Sequence, residues 1–162
     1  MLSNPRGIGE FLKLFLKDRN STIKSFKSLK NKLKKIEEYK SSIGVLESMD
    51  SLEVYSFLME KGEALNKDSL SVDRRIQENK VTQCMYDLYV DKEDGRFKAW
   101  SEATIAAGYA FILVDIFNCM TEEEAKSVTI RDFEEIELEK KLTMNRQTGY
   151  FQMIEMMINK IQ

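Results

Sequence analysis

Apolar residues recur at steps of three and four along most of this chain, which places them on one face of an α-helix. The longest such stripe predicts a helix over about 22–46, built on Ile23, Phe26, Leu29, Leu33, Ile36, Tyr39, Ile43 and Leu46. The chain has one proline and seven glycines, so few residues interrupt helices. The pattern predicts an all-α protein, a single compact bundle of six or seven helices.

The other helices are predicted from the same periodicity, over 7–17, 50–65, 72–90, 97–120 and 146–161, with one or two more over 122–142. Asp50 with Glu53, and Thr121 with Glu124, have the spacing of capping boxes at helix N-termini. A turn at Lys92 to Gly95 separates the fourth and fifth helices. The helix near 97–120 is almost wholly apolar, so we expect it to lie buried at the centre of the bundle.

Charge is distributed unevenly along the sequence. Residues 1–40 carry eleven Lys and Arg against four Asp and Glu, and the other 122 residues carry fourteen against twenty-three. No domain boundary is evident, so 1–162 is predicted to be one domain, with basic helices 7–46 packed on an acidic helical body, 50–162. A basic end on an acidic body favours docking on a charged partner.

Two surfaces are candidates for binding that partner. One is the basic face of the long helix, formed by Lys24, Lys27, Lys30, Lys34 and Lys35, which could contact an acidic protein or nucleic acid, or simply face solvent. The other is the broad apolar face of the last helix, with Tyr150, Met153 and Met157. The alternatives for this second face are core packing and a homodimer interface.

The segment Leu142, Met144, Asn145, Arg146, Gln147, Thr148 and Tyr150 resembles the turn and recognition helix of DNA-binding helix-turn-helix regulators. That resemblance implies that Asn145, Arg146, Gln147 and Thr148 would contact nucleic acid. Glu139 and Gly149 depart from the pattern, and the preceding segment is acidic, which a phosphate backbone would repel. A DNA-binding regulator is therefore an alternative function.

Candidate catalytic and metal-binding chemistry is sparse. The chain has no histidine, so no Ser–His or Cys–His pair and no ordinary zinc site can form. Cys84 and Cys119 lie in apolar stretches predicted to be helical, which favours buried, reduced thiols in a cytoplasmic protein. Glu60 and Glu63 have the spacing of a magnesium-binding pair, which makes a degenerate all-α nucleotide pyrophosphohydrolase a second alternative.

A narrow stripe of small and polar residues, Ser101, Thr104, Gly108, Asp115 and Asn118, marks the fifth helix. It is either a solvent edge, a satisfied polar seam or a shallow groove. Taken together, the sequence predicts a non-catalytic regulatory or inhibitory protein, homodimeric and cytoplasmic, with no cofactor, metal or membrane contact. It would bind another macromolecule, and its composition is typical of phage or mobile-element proteins.

Overall fold

The computed structural model describes residues 12–13, 16–17, 19 and 34–162. Helix α1 occupies residues 34–49. The later elements are α2 (Ser51–Lys67), 3₁₀ turns (Val72–Arg74 and Gln77–Asn79), β1 (Leu88–Glu93), β2 (Arg96–Ser101), α3 (Thr104–Asn118), α4 (Glu122–Ser127), α5 (Ile130–Glu134), a 3₁₀ turn (Leu138–Lys141) and α6 (Met144–Ile161). In the part of the chain that is described, no helix is long and apolar enough to cross a membrane.

A β-hairpin shows that the all-α prediction is wrong. Strands β1 and β2 pair antiparallel, from Leu88 opposite Ser101 to Glu93 opposite Arg96. Asp94 and Gly95 form the two-residue loop and have positive φ angles of 54° and 77°, as a type I′ turn requires. The predicted helix over 72–90 is therefore replaced by two 3₁₀ turns, a loop and a strand, and the fifth helix begins later than predicted.

Helix α3 forms the centre of the core, as its apolar sequence predicts, and ten of its fifteen residues are buried. Helix α2 packs on it at unusually close range through two glycines. A Cβ on Gly108 would lie 2.2 Å from the carbonyl oxygen of Leu58, and one on Gly62 would lie 2.6 Å from that of Thr104. Any larger residue at these positions would force the two helices apart.

Helix α1 is fixed to α3 by both apolar and polar contacts. Its Ile36, Tyr39 and Ile43 are buried. The Tyr39 hydroxyl donates a hydrogen bond to Asp115 Oδ2, and Lys35 Nζ lies 3.1 Å from the same oxygen. Burial, together with the hydrogen bond to Asp115, raises the pKa of Tyr39, so it stays a neutral donor.

The small and polar stripe is a closed seam rather than a groove. Asn118 exchanges two hydrogen bonds with the backbone of Phe97, at 2.8 and 3.0 Å. Ser101 Oγ donates to the carbonyl oxygen of Asp87 at 2.7 Å. Because Gly108 and Asp115 are occupied by α2 and α1, each position of the stripe except the exposed Thr104 faces a different part of the fold.

The segment 122–142, predicted to form one or two helices, is divided into α4, α5 and a 3₁₀ turn. The capping box of Thr121 and Glu124 is confirmed at the start of α4. Asp50 is confirmed as the N-cap of α2, where its side chain accepts a hydrogen bond from the Leu52 amide. Glu137, with a φ angle of 62°, interrupts the helical course before α6, and α6 itself has close to its predicted bounds.

Candidate reactive-cysteine site

Cys84 lies in the loop of residues 82–87 that leads into β1, and it is partly exposed. Cys119 is exposed at the C-terminal end of α3. The prediction that both thiols are buried within helices is therefore wrong for both. Tyr109, beside Cys84, precedes Cys119 by ten residues of helix, or roughly 15 Å of helix axis, which is too far for a disulfide between the two cysteines.

Backbone and side-chain hydrogen bonds hold the Cys84 loop in place. The amide of Cys84 donates to the carbonyl oxygen of Val81 at 3.1 Å, and Val81 is bonded to Leu88 at 2.8 Å. Gln152 of α6 clamps the loop from the other side. Its Oε1 accepts from the Gln83 amide at 2.7 Å and its Nε2 donates to Thr82 Oγ1 at 2.8 Å.

Helices α3 and α6 form the base on which Cys84 rests. The hydroxyl of Tyr109, a wholly buried residue of α3, donates to Cys84 Sγ at 3.7 Å. Burial raises the pKa of Tyr109, so its hydroxyl keeps the proton that it donates. A Cβ on Gly149 of α6 would lie 2.9 Å from that hydroxyl and 3.3 Å from Cys84 Cβ, so the site depends on a glycine there.

A cleft of about 610 Å³ opens beside Cys84. We call it the Cys84 cleft; it is lined by Cys84, Met85, Tyr86, Glu102, Ala103, Thr104, Ile105, Ala106, Thr143, Asn145 and Arg146. The N-terminal turns of α3 and α6 both contribute to its wall, and Arg146 adds a positive charge that Glu102 opposes. Met85 and Tyr86 are 72% and 51% exposed, so the rim is apolar and accessible.

Four of the eight residues predicted to bind a partner are engaged in contacts within the protein. Lys24, Lys27 and Lys30 lie outside the described residues. Lys34 is exposed, whereas Lys35 is paired with Glu38 and Asp115. Tyr150, Met153 and Met157 are wholly buried in the chain's own core, so the prediction that they form a binding surface is wrong. The broad apolar face of α6, which indicated a partner or a homodimer, is buried against other parts of the same chain.

The helix-turn-helix interpretation is also wrong. The element before α6 is a 3₁₀ turn and α5 has five residues, so no first helix supports a recognition helix. Gln147 donates to the carbonyl oxygen of Leu142 at 3.0 Å, and Thr148 to that of Asn145 at 2.8 Å. Asn145 and Arg146 instead line the Cys84 cleft.

The magnesium-site interpretation finds no support either. Glu60 and Glu63 are exposed on α2, and Asp115, a carboxylate of the neighbouring helix α3, is bonded to Tyr39 and Lys35. Among the described residues, no group of three or more His, Cys, Asp or Glu side chains is placed to hold a metal ion.

Cys84, Tyr109, Gly149 and Gln152 are not among the residues predicted from the sequence to form a site. The dipeptide Asp94-Gly95, a strong signal for a hairpin, could have placed Cys84 in a loop before a strand. Nothing local could have brought Tyr109 and Gly149 to it, since both approach through tertiary packing. Arg146 was predicted as a site residue, but for nucleic acid.

In the part of the chain that is described, the fold combines helices with one β-hairpin, and the site is a partly exposed thiol at an open cleft. Residues 42–161 match the family of SufE, the Fe-S metabolism associated domain, over about three quarters of the chain, so the chain belongs to that family. Residues 1–41, with most of the basic segment, lie outside the match. No curated protein matches the chain.

A solved structure supports the fold. The solution structure of a hypothetical protein from Thermus thermophilus is similar to this chain, with a TM-score of 0.54 at 16% identity. The similarity covers 76% of this chain and 92% of that one.

Family membership overturns the predicted function as well as the fold class. A regulator or inhibitor of phage or mobile-element type, a DNA-binding regulator and a nucleotide pyrophosphohydrolase are all wrong for a member of a family in Fe–S metabolism. SufE domains interact with partner proteins, so the expectation of a protein partner is confirmed in that general form. The expected homodimer and nucleic acid find no support.

Proposed function

We propose that this protein carries sulfur for Fe–S metabolism as a persulfide on Cys84. The observation that carries the proposal is the position of Cys84, partly exposed at a cleft and fixed from two sides by α3 and α6. An Fe–S cluster commonly needs four cysteine ligands. Two cysteines and no histidine cannot supply them from this chain, so carrying sulfur fits its composition better than holding a cluster.

The proposed reaction is an exchange between a persulfide and a thiolate. The Cys84 thiolate attacks the outer sulfur of a persulfide on a donor protein. A sulfur–sulfur bond to Cys84 forms as the donor's bond breaks, and the donor cysteine leaves as a thiolate that takes up a proton. The outer sulfur exchanges one sulfur–sulfur bond for another, and its oxidation state does not change. The step therefore needs no oxidant or reductant. Repeating it with an acceptor thiol releases the sulfur.

Several features of the Cys84 cleft support this chemistry. The first turns of α3 and α6 present positive partial charge to the cleft, and Arg146 adds a full charge. Both attract an anionic ligand to the cleft, since anions are stabilised near helix N-termini. Glu102 opposes them from the same wall, so the field in the cleft is a balance of these groups.

The donor in this proposal is a cysteine desulfurase, the class of partner with which SufE domains interact. The exposed apolar side chains of Met85 and Tyr86 beside the thiol supply the contact area that such a partner needs. The protein would act as an acceptor and carrier of sulfur rather than as an enzyme in its own right. Its free thiols suit the reducing compartment expected from the sequence.

A desulfurase assay with two cysteine variants tests the proposal. A cysteine desulfurase of the same host is supplied with cysteine, and alanine formation is followed with and without this protein. We expect the wild-type protein and Cys119→Ser to accelerate turnover, because both keep the acceptor thiol, and Cys84→Ser to fail. Equal acceleration by Cys84→Ser, or none by the wild type, would refute the proposal.

A further inference from the structure

Tyr109 contacts the sulfur atom of Cys84 through its hydroxyl group. Its side chain is wholly buried, and a buried hydroxyl needs an acceptor. In the described part of the chain, its acceptor is Cys84 Sγ, at 3.7 Å. The hydroxyl therefore points at the atom that would react.

We propose that the Tyr109 hydroxyl stabilises the anionic form of Cys84, both before the sulfur is accepted and when it is released. A neutral thiol accepts hydrogen bonds weakly, whereas bonds to an ionised acceptor are roughly twice as strong as neutral ones. The contact therefore strengthens when Cys84 loses its proton. This role rests on the proposed function, in which the Cys84 thiolate is first nucleophile and later leaving group.

Packing fixes Tyr109 in this orientation. Its ring meets that of Tyr150 edge to face, with centroids 5.7 Å apart, and Gly149 leaves no free space beside the hydroxyl. A persulfide on Cys84 would place its outer sulfur about 2.05 Å beyond Sγ. Tyr109 can then stay bonded to Sγ, the sulfur that departs as a thiolate in the release step.

The matched control for this hydroxyl is that of Tyr150. Tyr150 is equally buried, but its hydroxyl has no hydrogen-bond partner within the described residues. Tyr109→Phe and Tyr150→Phe each remove one hydroxyl group from the same region of the core. Only Tyr109→Phe also removes a contact to sulfur. Glu102, Arg146 and Tyr86, the other titratable groups lining the cleft, are unchanged in both variants.

The test is the pH profile of Cys84 alkylation by iodoacetamide, in a Cys119→Ser background that leaves a single thiol. We expect Tyr109→Phe to move the midpoint about one pH unit upward, a tenfold loss of thiolate below it, and Tyr150→Phe to leave it in place. Sulfur transfer from a desulfurase at neutral pH should slow by about threefold in Tyr109→Phe. The tenfold loss of thiolate is partly offset by the greater nucleophilicity of a more basic thiolate.

An unchanged midpoint in a folded Tyr109→Phe protein, or an equal shift in Tyr150→Phe, would overturn this role. If Tyr109→Phe does not fold, the wild type decides: the NMR shift of Tyr109 Cζ should follow the same pH midpoint as Cys84 Cβ, and independent titration would overturn the role. Alkylation needs no sulfur donor, so the experiment distinguishes failure of the Tyr109 role from failure of the carrier function. A persulfide on Cys84 with no Tyr109 effect rejects this inference alone, whereas a Tyr109 effect without any persulfide rejects the carrier function.

Discussion

Replacing Gly149 with alanine tests whether the Cys84 site is as tightly packed as the structure indicates. The new Cβ would lie 2.9 Å from the Tyr109 hydroxyl, and 3.3 and 3.4 Å from Cys84 Cβ and Cα. The first contact is shorter than real Cβ contacts, and the loop that carries Cys84 is held by Gln152, so it cannot move freely. Overpacking of this kind costs about 1–3 kcal/mol.

Gly44 provides the matched control. It lies within α1, and a Cβ there would have no neighbour within 4 Å. Alanine in place of glycine inside a helix stabilises by about 0.5–1 kcal/mol, and this gain applies to Gly44 and Gly149 alike. The difference between the two variants therefore isolates the packing cost, which we expect to be about 1–3 kcal/mol.

Urea unfolding of both variants measures this difference, and iodoacetamide alkylation reports the state of the thiol. We expect Gly44→Ala to be more stable than the wild type and Gly149→Ala to be less stable than Gly44→Ala. The alkylation rate of Cys84 should change only in Gly149→Ala, because that Cβ displaces either the thiol or its hydrogen-bond donor. If both alanines stabilised equally and alkylation were unaltered, the described packing of Cys84 on α6 would be wrong.

Two further predictions concern stability away from the thiol. Gly108→Ala should lower the free energy of unfolding in urea by at least about 3 kcal/mol, because its Cβ would lie 2.2 Å from the Leu58 carbonyl oxygen. A decrease below about 1 kcal/mol would contradict the close contact of α2 and α3. Burial opposes ionisation of Asp91, but hydrogen bonds from the Lys92 backbone, Arg74 and Lys160 lower the pKa of this carboxyl. The ionised carboxylate therefore stabilises the fold at neutral pH, and this contribution is lost as pH falls below 3.8 through the folded-state pKa. Asp91→Asn should therefore lose less stability than the wild type between pH 7 and pH 3, and parallel losses would refute this assignment.

The local parts of the fold were predictable from sequence because their signals are local. The stripe containing Ile36, Tyr39 and Ile43, the cap at Asp50 and the periodicity of α6 each depend on neighbouring residues only. The hairpin was missed because Val81, Met85 and Leu88 also have helical spacing. Tertiary packing selected the strand, since β2 packs on α3 and β1 packs on α6.

The candidate site was less predictable. The site at Cys84 depends on contacts with Tyr109 and Gly149. These residues are distant in sequence and reach Cys84 only through the packing of α3 and α6. The sequence of α6 shows how much apolar surface the helix has, but not how much of that surface is buried by the rest of the same chain. Tyr150 and its neighbours were therefore assigned to a partner, although they lie in the core.

The residue that receives sulfur from a desulfurase decides whether Cys84 is the carrier. Wild-type protein is incubated with a cysteine desulfurase and ³⁵S-labelled cysteine, trapped with iodoacetamide, digested without reductant and examined by peptide mass spectrometry. Both thiols are present in the same molecules, so Cys119 serves as the internal control for nonspecific labelling. We expect labelled persulfide on the Cys84 peptide and little on the Cys119 peptide. Equal labelling of the two, or label on Cys119 alone, would contradict it.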